Sequence, residues 1–296
     1  MILRKLYIYL QLMRPANIVT SVADILAGIA IASAPGTLTE RAWPTALLLC
    51  LSTACLYGGG IVFNDIFDVE TDKLERPERA IPSGKVSLPE ASVLGTLLLS
   101  AGILLAFLVS AASGILAAAI ALCALLYDKF GKHHPFFGPL NMGMCRGLNL
   151  LLGVSIIPDA LNHWSMLALV PVVYIFSITL TSRGEVHGGK KSNLYIAAFL
   201  YAAVIAFISY FSYVNNRLLW SLLFILPFTW MIFKPLLIAI REPIGKNIGN
   251  AVKAGVISLI LMDASWSATF SSLTFALMIA CLLPLSLWLS KTFAVT

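Results

Sequence analysis

Charge is what this chain has least of. Only 11% of its 296 residues are Asp, Glu, Lys or Arg, while 59% are apolar, and the mean hydropathy is +0.90. Soluble domains carry roughly a quarter charged residues, so a water-exposed globular surface is excluded. Alternating strands of about ten residues, the mark of a membrane β-barrel, are missing as well. The opening stretch, MILRKLYIYLQLMRP, is too short and too charged for a cleavable signal peptide and reads as mature chain. The five cysteines, Cys50, Cys55, Cys123, Cys145 and Cys281, lie in apolar segments without CxxC spacing. That pattern speaks for buried reduced thiols. A net charge of +6 has no soluble basic domain to carry it, so nucleic acid is not an expected partner.

What the chain does have is long apolar runs. Ten segments stand out, at about 17–34, 43–63, 90–111, 113–127, 139–157, 164–182, 194–213, 218–240, 249–267 and 272–290. Most are near the length that crosses a bilayer. The expectation is an all-α, polytopic transmembrane bundle of nine to ten helices in one domain, 1–296. Segments three and four read as a tight hairpin at Ser113-Gly114. The segment at 249–267 contains Lys253 and Asp263 and could lie partly in the interface. With the N-terminus in the cytoplasm and segments alternating, all of the 20 Lys and Arg except Arg41 and Arg217 fall on the cytoplasmic side or at its helix ends. The polar loops 64–89, 128–138, 183–193 and 241–248 then share that side, around a cytoplasm-facing polar cavity. A bacterial inner membrane is expected, with a plastid or mitochondrial membrane left open.

The charges that exist are concentrated in NDIFDVETDKLERPERAIPSG, residues 64–84. Asp65, Asp68 and Asp72 stand at i, i+3 and i+7, with Asn64 on the flank. If the second helix continues through them, the carboxylates project within about 60° of one another. Clustered carboxylates call for a cation, and Mg²⁺ suits them because it takes oxygen ligands and bridges carboxylates to phosphates. Arg76, Arg79 and Lys85 follow, and basic groups of this kind suit phosphate oxygens.

The pattern N-D-x-x-D-x-x-x-D followed by R-P-x-R-x-I-P-S-G resembles the first aspartate-rich motif of the UbiA superfamily of intramembrane prenyltransferases. The layout is similar over essentially the full length, from an R-P-x-N (Arg14, Pro15, Asn17) to a Tyr/Lys loop after helix 4 and a second motif after helix 6. LYDKFGKHHP, GMCRGLNLLLG and SRGEVHGG further resemble the EboC branch. The resemblance implies transfer of a prenyl group from a polyprenyl diphosphate to a small lipophilic, expectedly aromatic, acceptor in the membrane. It implies Mg²⁺ held by Asn64, Asp65, Asp68, Asp72 and Glu185, so that the C–O bond ionises to an allylic cation. Around the substrate it places Arg14, Asn17, Asn64, Arg79, Lys129, Lys132, Arg146, Arg183, His187 and Lys190. Tyr57, Phe63, Phe67 and Tyr127 are candidates to shelter the cation.

One stretch departs from the family. TSRGEVHGGKK, residues 181–191, has Glu185 at the first acidic position of the second motif but Gly189 at the next. Either the basic loop takes over part of a second metal's role, or diphosphate chemistry is altered. A non-catalytic binder or transporter of an isoprenoid or aromatic metabolite on the same scaffold is the alternative. A phospholipid phosphotransferase would carry D-G-x-x-A-R, which is absent. His133-His134 lacks partners at ligand spacing. Charges within apolar segments remain: Asp24, at i+7 from Asn17, and Arg146 with Asn149. They either form a buried strut or line the cavity, Arg146 toward phosphate and Asp24 toward the acceptor. Asp263 is expected to serve structure.

Overall fold

The computed structural model of the chain describes residues 2–33, 42–132, 134–185 and 188–293. Among them every regular element is a helix. The order is α1 (Ile2–Met13), α2 (Pro15–Ala32), α3 (Trp43–Phe67), α4 (Val69–Glu75), α5 (Leu88–Phe107), α6 (Ala111–Leu126), α7 (Phe137–Val154) and α8 (Ala160–Trp164), then α9 (Leu169–Ser182), α10 (Lys191–Val214), α11 (Leu218–Arg241), α12 (Gly245–Phe270), α13 (Leu273–Ala280) and α14 (Leu282–Thr292). Nine helical stretches among the described residues are long and apolar enough to cross a membrane. Helices satisfy their own backbone groups, which hydrocarbon cannot do. Large apolar side chains such as Leu219, Phe199 and Leu97 stay exposed on the outside, as a lipid-facing surface requires. The chain is an integral, multi-pass membrane protein.

Helix α7 is the exception to the apolar pattern and the key to the interior. It corresponds to the expected segment at 139–157, but Asn141, Arg146 and Asn149 keep it off the set of apolar spans. It packs between α2, α6 and α9. Small residues let backbones touch along it, as membrane helix contacts favour. A Cβ on Gly153 would stand 2.3 Å from the Ile25 carbonyl oxygen, and one on Gly28 would stand 2.3 Å from that of Leu150. Toward α9 a Cβ on Gly143 would meet the Val172 carbonyl oxygen at 2.5 Å.

Three local expectations are corrected. The second apolar helix does not run through the acidic stretch. It ends at Phe67, Asp68 stands at the junction, and α4 restarts at Val69. The α5–α6 hairpin turns at 108–110 rather than at Ser113-Gly114, because the Ser110 hydroxyl caps α6 by accepting from the Ser113 N–H at 3.0 Å. Gly114 lies inside α6, against the Phe107 ring. Helix α12 is not interfacial. Residues 257–270 are buried, packed against α11, α2, α13 and α9, and Lys253 donates to the Ser290 carbonyl at 3.2 Å.

Candidate active site

A cavity of about 300 Å³ lies among α2, α3, α6, α7, α9 and α12. Leu56, Ile120, Ile175, Ile178 and Val252 make its apolar wall. Arg14, Asn17, Asn64, Asp128, Arg146, Asn149 and Glu185 make its polar one.

Arg14 stands between α1 and α2 in the left-handed region, at φ 50°, ψ 69°, uncommon for a side chain with a Cβ. Pro15 then starts α2, where its missing N–H costs nothing. Arg14 Nη2 donates to Asp65 Oδ1 at 2.7 Å. Arg79 Nη1 donates to Asp72 Oδ2 at 2.7 Å and reaches Asp65 Oδ1 at 3.4 Å. Lys132 pairs with Asp68. The loop carrying Arg79 is seated by Ile81 and Val86, buried beside Leu12, Val62 and Ala91. Burial lowers the pKa of the Arg14 guanidinium, with Asp65 opposing the effect, and burial lowers that of Lys132 in the same way.

After α6 the chain makes a π-helical turn, Tyr127–Gly131, which buries Asp128 and aims it at Asn64. Asn64 Nδ2 donates to Asp128 Oδ1 at 2.8 Å. Asp128 is a cavity residue that the motif reading passed over. The available signal was its isolation, since it is the sole acidic residue between Glu90 and Asp159.

On the far wall Glu185 rests against α12, where a Cβ on Gly249 would stand 3.3 Å from Glu185 Oε1. Gly189 serves the backbone here. Its N–H donates to the Pro243 carbonyl at 3.1 Å, and a Cβ on it would stand 2.9 Å from Ile248 Cδ1.

Several basic residues expected around the substrate point elsewhere. Arg183 is exposed and donates to the His134 carbonyl at 2.5 Å, which straps two loops together. Lys129 is exposed, its ammonium 5.2 Å from the Phe130 ring centroid. Lys190 is exposed at the start of α10. His134 caps α7 through Nδ1, which accepts from the Phe136 and Phe137 amides at 3.2 and 3.0 Å. His133 and His187 lie outside the described residues. Lys85 donates to the Glu78 carbonyl at 3.3 Å.

Of the aromatic candidates, Tyr57 and Tyr127 line the cavity. Phe63 and Phe67 stack on one another, centroids 6.3 Å apart, and are not on its wall. The Tyr57 ring is already engaged, with the Arg146 guanidinium 4.9 Å from its centroid.

The buried charges combine both readings left open for them. Arg146 Nη1 donates to Asp24 Oδ2 at 2.5 Å, and Nη2 to Thr20 Oγ1 at 2.5 Å. Asn149 donates to the same Asp24 oxygen at 2.9 Å and accepts from the Thr53 hydroxyl at 2.6 Å. Arg146 and Asn149 lie on the cavity wall while Asp24 sits behind them, 1% exposed. Asp24 therefore does not face an acceptor, because Arg146 and Asn149 stand between it and the cavity.

Fold and site together define an integral membrane protein that sets a cluster of acids and arginines beside an apolar cavity. The chain belongs to the UbiA prenyltransferase family, which matches residues 22–243. Digeranylgeranylglyceryl phosphate synthases are among its relatives. The protein of Methanococcoides burtonii is 30% identical over 266 residues, 81% of this chain and 90% of that one. The protein of Saccharolobus solfataricus is 32% identical over 177 residues, 58% and 59% of the two chains. Two solved structures share the fold. An apo UbiA homologue from Aeropyrum pernix K1 superposes with a TM-score of 0.67 at 17% identity, over 84% of this chain and 96% of that one. A UbiA homologue from Archaeoglobus fulgidus, bound to GPP and Mg²⁺, gives 0.61 at 12% identity, over 93% and 99%.

Proposed function

We propose that this chain transfers a prenyl group from a prenyl diphosphate to a hydroxyl of a glyceryl phosphate lipid, with Mg²⁺ as cofactor. The observation that carries the donor half is Asp65, held between Arg14 and Arg79 beside the apolar cavity. A diphosphate needs cationic donors, its metal needs carboxylates, and its tail needs a greasy wall. All three requirements meet at this place.

The donor set fits Mg²⁺, because Asn64, Asp65, Asp68, Asp72 and Glu185 offer only oxygen ligands, and Asp128 adds another beside Asn64. These residues would hold the metal, which supplies charge neutralisation for the departing diphosphate. Arg14, Arg79 and Lys132 would donate to phosphate oxygens. Leu56, Ile120, Ile175 and Val252 would take the first isoprene units and exclude water from the allylic cation. As the C–O bond to the diphosphate breaks, capture of that cation by the acceptor oxygen forms the new C–O bond, and the hydroxyl proton passes to the released diphosphate. The glyceryl phosphate acceptor rests on the names of the relatives and replaces the aromatic acceptor expected from the sequence. The clustering of Lys and Arg supports a cytoplasmic N-terminus and a cytoplasm-facing site. The kinship with archaeal proteins supports no particular bacterial membrane.

The test is transfer of radiolabelled geranylgeranyl diphosphate by the purified chain, offered geranylgeranylglyceryl phosphate or 4-hydroxybenzoate, with Mg²⁺ or EDTA. The expected product is the diether, formed only with Mg²⁺ and lost in Asp65→Asn. Product on the aromatic acceptor alone would return the acceptor to that class. Mg²⁺-dependent binding without transfer to either would favour a carrier.

A further inference from the structure

The acids of the first motif are not waiting for a metal. Each is already in an ion pair: Asp65 with Arg14 at 2.7 Å, Asp72 with Arg79 at 2.7 Å, and Asp68 with Lys132. Arg79 also reaches Asp65, at 3.4 Å, and so bridges α3 to α4. Among the described residues no three Asp, Glu, His or Cys side chains converge as a preformed metal site. Three acids balance three bases, and the six side chains are only 7–21% exposed.

In so dehydrated a cluster, removing one partner of a pair leaves the other charge uncompensated. A divalent cation that takes Asp65 and Asp72 strands Arg79. A diphosphate that takes Arg79 strands Asp72 and weakens the hold on Asp65. Each exchange is unfavourable alone. Together they pair every charge again, acids with metal and bases with phosphate.

We infer that Arg79 is an ionic latch that occupies the place of the metal and hands itself to the diphosphate, so that the two ligands bind in mutual dependence. This rests on the diphosphate-and-Mg²⁺ reading above and adds a mechanism of ordering to it. The latch is a positioning device with a loop built for it. Ile81 and Val86 anchor the loop, and Gly84 turns it at φ +72°, while the Arg79 side chain projects back over both acids.

The distinguishing test uses each ligand without the other, by calorimetric titration of the purified full chain with Mg²⁺ alone, and with inorganic pyrophosphate alone in EDTA. Arg79→Gln removes the resident cation, so Mg²⁺ alone is expected to bind at least about fivefold more tightly than to wild type. Asp72→Asn loosens Arg79, so metal-free pyrophosphate is expected to bind more tightly by a similar factor. Arg79→Lys keeps the charge and should resemble wild type. A merely structural role for Arg79 predicts weaker binding of both ligands. If Arg79→Gln and Asp72→Asn give unchanged or weaker single-ligand binding while wild type binds pyrophosphate with Mg²⁺, the latch is refuted and the diphosphate site stands. If wild type binds pyrophosphate under no condition, both fall together. Should one variant not fold, the other carries the test with the opposite ligand.

Discussion

Arg146 and Asp24 offer the sharpest quantitative test, because the structure makes them an ion pair buried between α2 and α7. Asp24 is 1% exposed, and beside Arg146 the Asn149 amide donates to it at 2.9 Å. Arg146→Met therefore leaves the Asp24 carboxylate without its cation between α2 and α7, beside the buried Asp263. Breaking a buried pair on one side costs about 3–5 kcal/mol. At about 2 °C per kcal/mol for a chain of this size, the unfolding midpoint should fall by roughly 6–10 °C. Asp24→Leu should cost a similar amount. The double variant should recover at least about 2 kcal/mol of the summed loss, since both desolvation penalties disappear together. The assay is thermal unfolding in detergent at a fixed scan rate, followed by labelling of the cysteines, all free thiols. Additive losses in the double variant would refute the strut. Both Nη atoms of Arg146 are committed to Asp24 and Thr20, so the double variant should also keep Mg²⁺-dependent diphosphate binding. Loss of binding with stability recovered would instead put Arg146 on the phosphate.

Four further outcomes follow from single contacts. Gly153→Ala drives a Cβ to 2.3 Å from the Ile25 carbonyl oxygen, so it should destabilise by about 1–3 kcal/mol, read as a lowered midpoint in the same assay. Gly249→Ala puts a methyl 3.3 Å from Glu185 Oε1; it should raise the KM for prenyl diphosphate with the midpoint little changed, and equal KM values would remove Glu185 from the site. Arg183→Ala breaks a strap to the His134 carbonyl and should leave that KM unaltered, whereas Arg14→Gln should raise it about tenfold or more, the loss of a charge-assisted hydrogen bond.

Much of the candidate site's charge cluster was legible from composition and spacing because charge is so scarce in this chain. In a sequence 59% apolar, acids and arginines crowded into 64–84 have few other uses, and Arg14, Asp65, Asp72 and Arg79 do meet. Helix continuity was not legible. Nothing between Asn64 and Asp72 is Gly or Pro, yet the chain breaks at Asp68 and starts a new helix. The break sends Asp68 to Lys132 rather than onto the face of its neighbours. The α5–α6 turn was misplaced for a related reason. Its residues Leu108 and Val109 carry no turn signal, whereas Gly114, which does, lies inside α6 as a glycine required by the Phe107 ring, which leaves no room for a Cβ. The partner of Arg183 was not legible either, since it bonds a carbonyl that only tertiary structure brings near.

Helix α7 shows why hydropathy and position diverge in such a fold. A helix facing lipid must be apolar on its outer side, but α7 is wrapped by α2, α6 and α9 and meets little lipid. Enclosure lifts the hydropathic requirement, so α7 can carry Arg146 and Asn149 at i, i+3 on the face that meets α2. Its glycines make the enclosure tight enough to matter: Gly153 against Ile25 sets the α2 backbone where Ser21 and Asp24 receive Asn149 and Arg146. The same polar side chains that drop α7 below the threshold of a membrane span therefore mark it as an interior element. In this chain a helix too polar to count among the membrane spans is among the most central, and it lines part of the cavity.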